Sequence, residues 1–369
     1  MKKLRIDSNF PTHLYNLFCD SNPFASKQFY QSLVGSDALS SQTGQTPLFF
    51  ETDHAYTLGL IKTHSYGEFI FDWAWANAYQ RLGLNYYPKL IHYTPFTPVN
   101  APKIYSHGMD QAKELINLVK NHYLAQEELS SHHYLFINID EQKNLKEAGY
   151  LIRNSMQYHW KNSWESFDHF LDSLLKRKKK MIMKERRKVL EHGLEISTNN
   201  FQDLNDNEVL KVFKLYQSTV VKKNSYLYLN LQTFMLWRKC KEAKIVLARK
   251  IEDIIAMAIF FQGPKTLYGR YWGIDPKFNL PMLHFELCYY QGMEICFKHN
   301  LELFEAGAQG EQKLKRGFAP VIIKSAHHLR NFKMFEAVEN FINEEKEFID
   351  DQIKIALNLL PYRAIEPIS

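Results

Sequence analysis

Cysteine is scarce in this 369-residue chain and widely scattered: Cys19, Cys240, Cys288 and Cys296 form no CxxC pair. That spacing points to neither a disulfide framework nor a zinc knuckle, and the four are expected to be reduced, buried thiols. HExxH, the helical signature of zinc hydrolases, does not occur either. Long apolar runs are missing: "IIAMAIFF" at 254–261 is among the longest, and a membrane span takes about 20 residues. The opening "MKKLRIDSNF" has no extended apolar core of the kind a secretion signal carries. A cytoplasmic protein without a transmembrane segment is therefore expected.

What is present is apolar and aromatic substance, 45% hydrophobic and 14% aromatic residues, far from a disordered composition. The length exceeds what one core usually serves, so two domains are expected. The net charge of +6 is concentrated in Lys176–Lys188, "KRKKKMIMKERRK", which holds nine cations and one acid; the remainder of the chain is slightly acidic. Such a run is either a solvated helix face or an anion-binding surface.

Along the first half, "TPLFFET" and "TLGLIK" read as strands, and "SYGEFIFDWAW" as an aromatic strand leading into a helix. "YTPFTPVNAP" is a proline-rich connection. Ala112, Leu115, Ile116, Val119 and Tyr123 recur at helical spacing, "HHYLFINID" and "SMQYHW" read as strands, and the first domain is expected to close at residue 155. The second, 156–330, opens with a single long basic helix, "SFDHFLDSLLKRKKKMIMKERRKVLEHG". Two helical segments follow, then a three-strand meander through "TLYGRYWGI", the helix "LHFELCYYQGMEICFKH" and the strand "LELFEAG". That is the element order of an acyltransferase core of the GNAT type. Residues 331–369 read as a charged amphipathic helix and tail. "SYGEFIFDWAW" and "LYGRYWGI" rhyme as a duplicated unit would.

Several residues stand out chemically. Glu286 lies on a helix that is apolar nearly all round, so it must be an anchor for a cation such as Arg270 or a base with a raised pKa. Arg270 and Trp272 sit in the meander's last strand, where an arginine requires an anion. Asp72, inside "FDWAWA", raises the same question, with Lys89 as its candidate partner. In "LFEAGAQGEQKLKRGF", 303–318, Glu305 ends an apolar strand, where open sheets place their sites. Gln309, Glu311, Lys313, Lys315 and Arg316 then crowd a turn with three glycines. Its spacing matches neither GxGxxG nor GxxxxGK[ST], so it is an active-site rim or a plain surface loop.

"HSYGEFIFDWAWANAY", "YYPKL", "PFTPV", "RYWG", "HFELCYYQ" and "FEAGAQGEQKLKRGF" together resemble the bacterial Fem-like family of predicted N-acyltransferases in the GNAT superfamily, over roughly residues 20–345. The resemblance implies an α/β, mixed-sheet fold of two tandem GNAT-like acyltransferase domains plus a C-terminal helix. It also implies kinship with the FemABX peptidyltransferases, which add amino acids from aminoacyl-tRNA to peptidoglycan precursors. The expected reaction forms an amide on an amine acceptor such as a cell-wall precursor. Glu286 or Glu305 would transfer the proton, and Arg270 and Lys313 would contact anionic groups. Asp72 with Lys89 would serve the acceptor side, and Trp272 and Gln309 would line the substrate. No tightly held cofactor or metal is expected. The donor is acyl-CoA or aminoacyl-tRNA, with Lys176–Lys188 as the tRNA surface. The glycine-rich pyrophosphate turn of acetyl-CoA-dependent relatives is replaced here by "GIDPKFNLPMLHF", and the long coiled-coil arm common in Fem enzymes is missing. The rival reading is a catalytically inactive module that recognises an anionic peptide- or glycan-bearing ligand.

Overall fold

The computed structural model describes residues 4–15, 22–307 and 310–363. The chain divides into two units, Met1–Met156 with Ile322–Gln352, and Gln157–Val321 with Ile353–Ser369. Among the described residues thirteen strands occur in chain order: β1 Arg5–Asp7, β2 Gln45–Glu51, β3 Ala55–Lys62, β4 Lys89–His92, β5 Ile104–Ser106, β6 Ser131–Ile137, β7 Leu151–Lys161, β8 Glu195–Asn200, β9 Ala243–Lys250, β10 Asp253–Gln262, β11 Thr266–Ile274, β12 Leu303–Glu305 and β13 Ala319–Leu329.

In the first unit the order is β1-β2-β3-β4-β6-β13, with β5 on β3. β2, β3 and β4 are antiparallel neighbours; β6 joins β4 in parallel, and β13 closes on β6 antiparallel through Lys324–Leu329. A parallel neighbour needs a crossover, and the helix Met109–Ala125 lies within the connection that supplies it. The five residues at helical spacing, Ala112, Leu115, Ile116, Val119 and Tyr123, are its buried face, packed with Leu90, Tyr134 and Leu145. Each large side chain so buried contributes about 1.5–3 kcal/mol before chain entropy is counted. The helix Phe332–Asn358 sets Met334, Val338 and Ile342 against Trp75, Tyr79 and Tyr86 of the same unit.

The second unit runs β7-β12-β11-β10-β9-β8. It repeats the scheme: β9, β10 and β11 are antiparallel, β12 is parallel to β11, and the end of β7 closes on β12 antiparallel. Its crossover helix covers 283–298 and contains a π-helical turn at Glu286–Tyr290. A Cβ on Gly292 would come within 2.4 Å of the Phe304 ring, so this helix lies on β12 as closely as only glycine permits.

Three expectations are corrected. "FIFDW" is no strand: Phe69 has φ +62° and the helix Trp73–Arg81 begins directly after Asp72. Residues 68–72 pair with no strand, and Glu68 and Asp72 are tied to Lys89 instead; the counterpart of β11 in the scheme is β4. The long basic helix is two, Phe167–Asp172 and Lys176–Leu190, because Leu174 is buried and bridges to Tyr362 while Leu175 N–H bonds the Pro361 carbonyl. The second unit does not run to residue 330, since the chain leaves it at Val321 for the ladder with β6.

Candidate active site

The parallel register of β11 with β12 lasts three residues: Thr266↔Leu303, Leu267↔Phe304, Tyr268↔Glu305. β11 continues to Ile274 while β12 ends, so from Gly269 onward this edge of β11 has no β12 residue beside it. On the other side of β11, the ladder with β10 jumps from Tyr271 to Gly269. Arg270 is thus the extra residue of a β-bulge, a device that re-aims side chains and interrupts pairing. The two irregularities fall together where β12 ends, and past that point Ala306 and Gly307 lie beside Gly269 without continuing the ladder.

Glu305, the last residue of β12, stands where the β11–β12 ladder ends, 4% exposed. His159 Nε2 approaches its carboxylate at 4.0 Å. Burial, with the Lys313 charge adding, pushes His159 down to about 3, so the imidazole is neutral and this is no ion pair. Two residues on, the Gly307 carbonyl accepts a 2.6 Å hydrogen bond from Lys313 Nζ. Lys313 was expected on an open rim; it lies instead in the 3₁₀ helix Glu311–Arg316, 1% exposed. Burial pushes its amine down to about 7, partly offset by Cys288. Near neutral pH an ordinary lysine cannot accept a proton, and this one can.

The 3₁₀ helix is held from behind. Arg316 donates to both oxygens of Glu185, at 2.6 and 3.1 Å, and to the Tyr290 hydroxyl at 2.9 Å, and its guanidinium lies over the Phe285 ring. Gly317 then reverses the chain at φ +90°, where a Cβ would strike the Tyr362 hydroxyl at 2.7 Å. The front carries Trp272, whose ring meets His284 edge-on at 5.2 Å. His284 is pushed down to about 4 by burial, with Lys223, Arg316 and Lys313 contributing. Arg270 caps the neighbouring Tyr271 ring at 4.9 Å. Gln309 lies outside the described residues.

Glu286 does not meet Arg270. It is 3% exposed and accepts from Arg186 Nε and Nη2 at 3.2 and 3.1 Å and from Gln291 at 2.9 Å, while Arg186 also reaches Glu294 at 2.9 Å. Two members of the basic run, Glu185 and Arg186, thus face inward. Lys176, Arg177, Lys180, Lys184, Arg187 and Lys188 remain exposed.

In the first unit the expected Asp72–Lys89 pair forms at 2.5 Å, inside a larger network. Lys89 also contacts Glu68 at 2.8 Å and Ser65 at 2.8 Å, Tyr86 donates to Asp72 at 2.6 Å, and Lys62 stands 3.6 Å from Glu68. All four charged groups are buried, so Asp72 and Lys89 offer a substrate no direct face. Burial would raise the Asp72 carboxyl, but Lys89 and Tyr86 outweigh it and hold it low; at Glu68 burial prevails over Lys89 and the net shift is upward. Burial takes Lys62 down to about 8 against Glu68. Asp72 and Lys89 were legible as partners in the sequence; Lys62 and Glu68 were missed, as were His159 and Glu185. A signal existed for Glu185: it is the one acid among nine cations in Lys176–Lys188. Among the described residues no group of three or more histidine, cysteine, aspartate or glutamate side chains is arranged to hold a metal ion. No helix among them is long and apolar enough to cross a membrane.

A meander followed by a parallel strand reached through a helix, present in both units, defines a fold of the GNAT type occurring twice in one chain; the bulge and the buried carboxylate at the strand end belong to the second unit. By its sequence the chain belongs to the FemAB-like family, described as peptidoglycan biosynthesis/recognition, whose pattern it matches over residues 7–364. It is similar to the crystal structure of FemX at 10% identity and TM-score 0.55, covering 91% of this chain and 100% of that one. It is likewise similar, at 10% identity and TM-score 0.55, to the C-terminal domain of a putative lysylphosphatidylglycerol synthetase from Agrobacterium fabrum (88% and 94% covered). The structure of L-PGS from Bacillus licheniformis matches at 10% identity and TM-score 0.52 (86% and 96%). At these identities the structures share the fold. No curated protein matches the chain by sequence.

Proposed function

We propose that the protein transfers an acyl or aminoacyl group to an amine on a peptidoglycan precursor, at the cleft between β11 and β12. The observation that carries this reading is the carboxylate of Glu305, buried at the end of β12 with His159 Nε2 4.0 Å away; Lys313, bonded to the Gly307 carbonyl two residues on, is a second buried group whose amine is brought down to about 7. Amide formation has two demands. The attacking amine must lose a proton, and the oxygen of the tetrahedral intermediate must meet donors. Glu305 takes the first role, with Lys313 as the group that exchanges the proton onward. Arg270, Trp272 and the edge of β11 beyond Tyr268 surround the second. Glu286, already committed to Arg186, is read as an anchor.

The donor we infer is an aminoacyl-tRNA. The turn after β11 contains Pro276 and Pro281, neither of which has an N–H for a pyrophosphate, whereas the exposed cations of Lys176–Leu190 suit a polyanion. The test is to supply aminoacyl-tRNA or acyl-CoA with a muramyl-peptide precursor and to search for one new amide by mass spectrometry. Product with aminoacyl-tRNA alone supports the reading. Saturable binding of precursor without product under either donor would favour the recognition module instead.

A further inference from the structure

The segment joining β3 to the helix Trp73–Arg81 exposes Tyr66, Phe71 and Trp73 to 47%, 54% and 39%. Large aromatics in water usually belong to something that covers them. These are also held from below. Lys62 donates to the Tyr66 carbonyl at 2.8 Å and Arg153 to the Phe71 carbonyl at 2.9 Å. Glu68 and Asp72 are tied to Lys89, and Glu345 fixes Arg153 with bonds of 2.6 and 2.8 Å. Phe69 is kept in the left-handed region at φ +62°, a strain that persists only where the surroundings over-determine it. A connection alone does not require two buried lysines and two buried carboxylates, since such groups are costly to desolvate. Rigidity prepared in advance is what a binding surface gains from, because the ordering cost is met before the ligand arrives.

The segment's own exposed side chains are uncharged, and of the charges nearest it, Arg153 and Glu345 neutralise one another. Between Thr63 and Gln80 the only charged residues are Glu68 and Asp72, both buried. Tyr66 and Trp73 stand 5.3 Å apart, centroid to centroid, and the His64 ring lies 5.4 Å from Tyr66. A polyanion or an anionic membrane would seek cations here. A neutral ligand with apolar C–H faces and hydroxyl edges fits instead, and a pyranose ring is that ligand. We propose that Tyr66 and Trp73 form a sugar-stacking platform that holds the saccharide part of the acceptor. The assignment of that sugar to an acceptor rests on the function proposed above, whereas the binding itself does not.

The experiment titrates the full chain with the neutral N-acetylglucosamine tetramer chitotetraose, read by calorimetry and by tryptophan fluorescence. The parent is expected to bind saturably. Trp73→Ala and Tyr66→Ala, surface changes that leave the buried network intact, should each weaken binding by about tenfold or more, as truncation of an aromatic anchor does; Trp73→Phe should stay close to parental. No saturable binding by the parent, or parental affinity in both alanine variants, overturns the proposal. Amide formation by the parent is measured separately, so a failed platform and a failed transferase reading give different results.

Discussion

Replacing Lys313 by methionine removes one buried amine and nothing else of comparable consequence. The folded protein holds that amine at about 7 against its ordinary 10.5. Below pH 7 both folded and unfolded chains carry the proton, and the folded state bears the full penalty, about 5 kcal/mol at roughly 1.4 kcal/mol per pH unit of displacement. Above pH 7 the folded chain releases the proton while the unfolded one keeps it until about 10.5. The unfolded state then binds more protons, so stability rises with pH. Between pH 7 and pH 9 this amounts to about 2–3 kcal/mol. Lys313→Met lacks this gain. At pH 6 it should be the more stable protein by several kcal/mol, less about 1 kcal/mol for the lost hydrogen bond to Gly307, and its advantage should shrink by about 2–3 kcal/mol by pH 9. Urea unfolding of both proteins from pH 6 to pH 9 measures the difference directly. A difference that stays constant across this range would refute the reasoning, because it would mean that Lys313 titrates as an exposed lysine does.

Glu286→Gln should cost stability by about 1–3 kcal/mol, through the weakened contact with Arg186, and leave turnover near parental; a collapse of turnover would move the base from Glu305 to Glu286. Lys89→Met strands Glu68 and Asp72 without their principal cation and should destabilise the first unit by about 3–5 kcal/mol, seen as a lower urea midpoint. Lys180→Glu with Lys184→Glu, one turn apart on the exposed face of Lys176–Leu190, should weaken tRNA binding and flatten its salt dependence, by counterion release, with the melting temperature unchanged. An unaltered salt slope would return that face to simple solvation.

The sequence was most informative where periodicity reports burial. The face of Met109–Ala125 was legible residue by residue, as was the meander of the second unit, because apolar spacing there reflects packing alone. It misled where charged side chains turn inward. "GEFIFDWAW" reads as an aromatic strand until Glu68 and Asp72 are seen meeting lysines from β3 and β4, a long-range pairing that local pattern does not encode. The split of the basic helix has the same origin, since the bridge from Leu174 to Tyr362 joins residues far apart in the chain. At the candidate site, the sequence placed Glu305 at a strand end, and β12 does end there. His159 was not read as its neighbour, nor Lys313 as a buried group, since only the closing of β7 on β12 and the 3₁₀ turn bring them inside.

The central claim is that Glu305 moves the proton at the cleft between β11 and β12, and the turnover of Glu305→Gln tests it most directly. Glutamine keeps the shape and hydrogen-bonding reach of the side chain and removes its basicity. With an aminoacyl donor and a muramyl-peptide acceptor, the account predicts a fall in kcat by a factor of about 100 or more, with the urea midpoint close to parental. Parental turnover in a folded Glu305→Gln protein would contradict it.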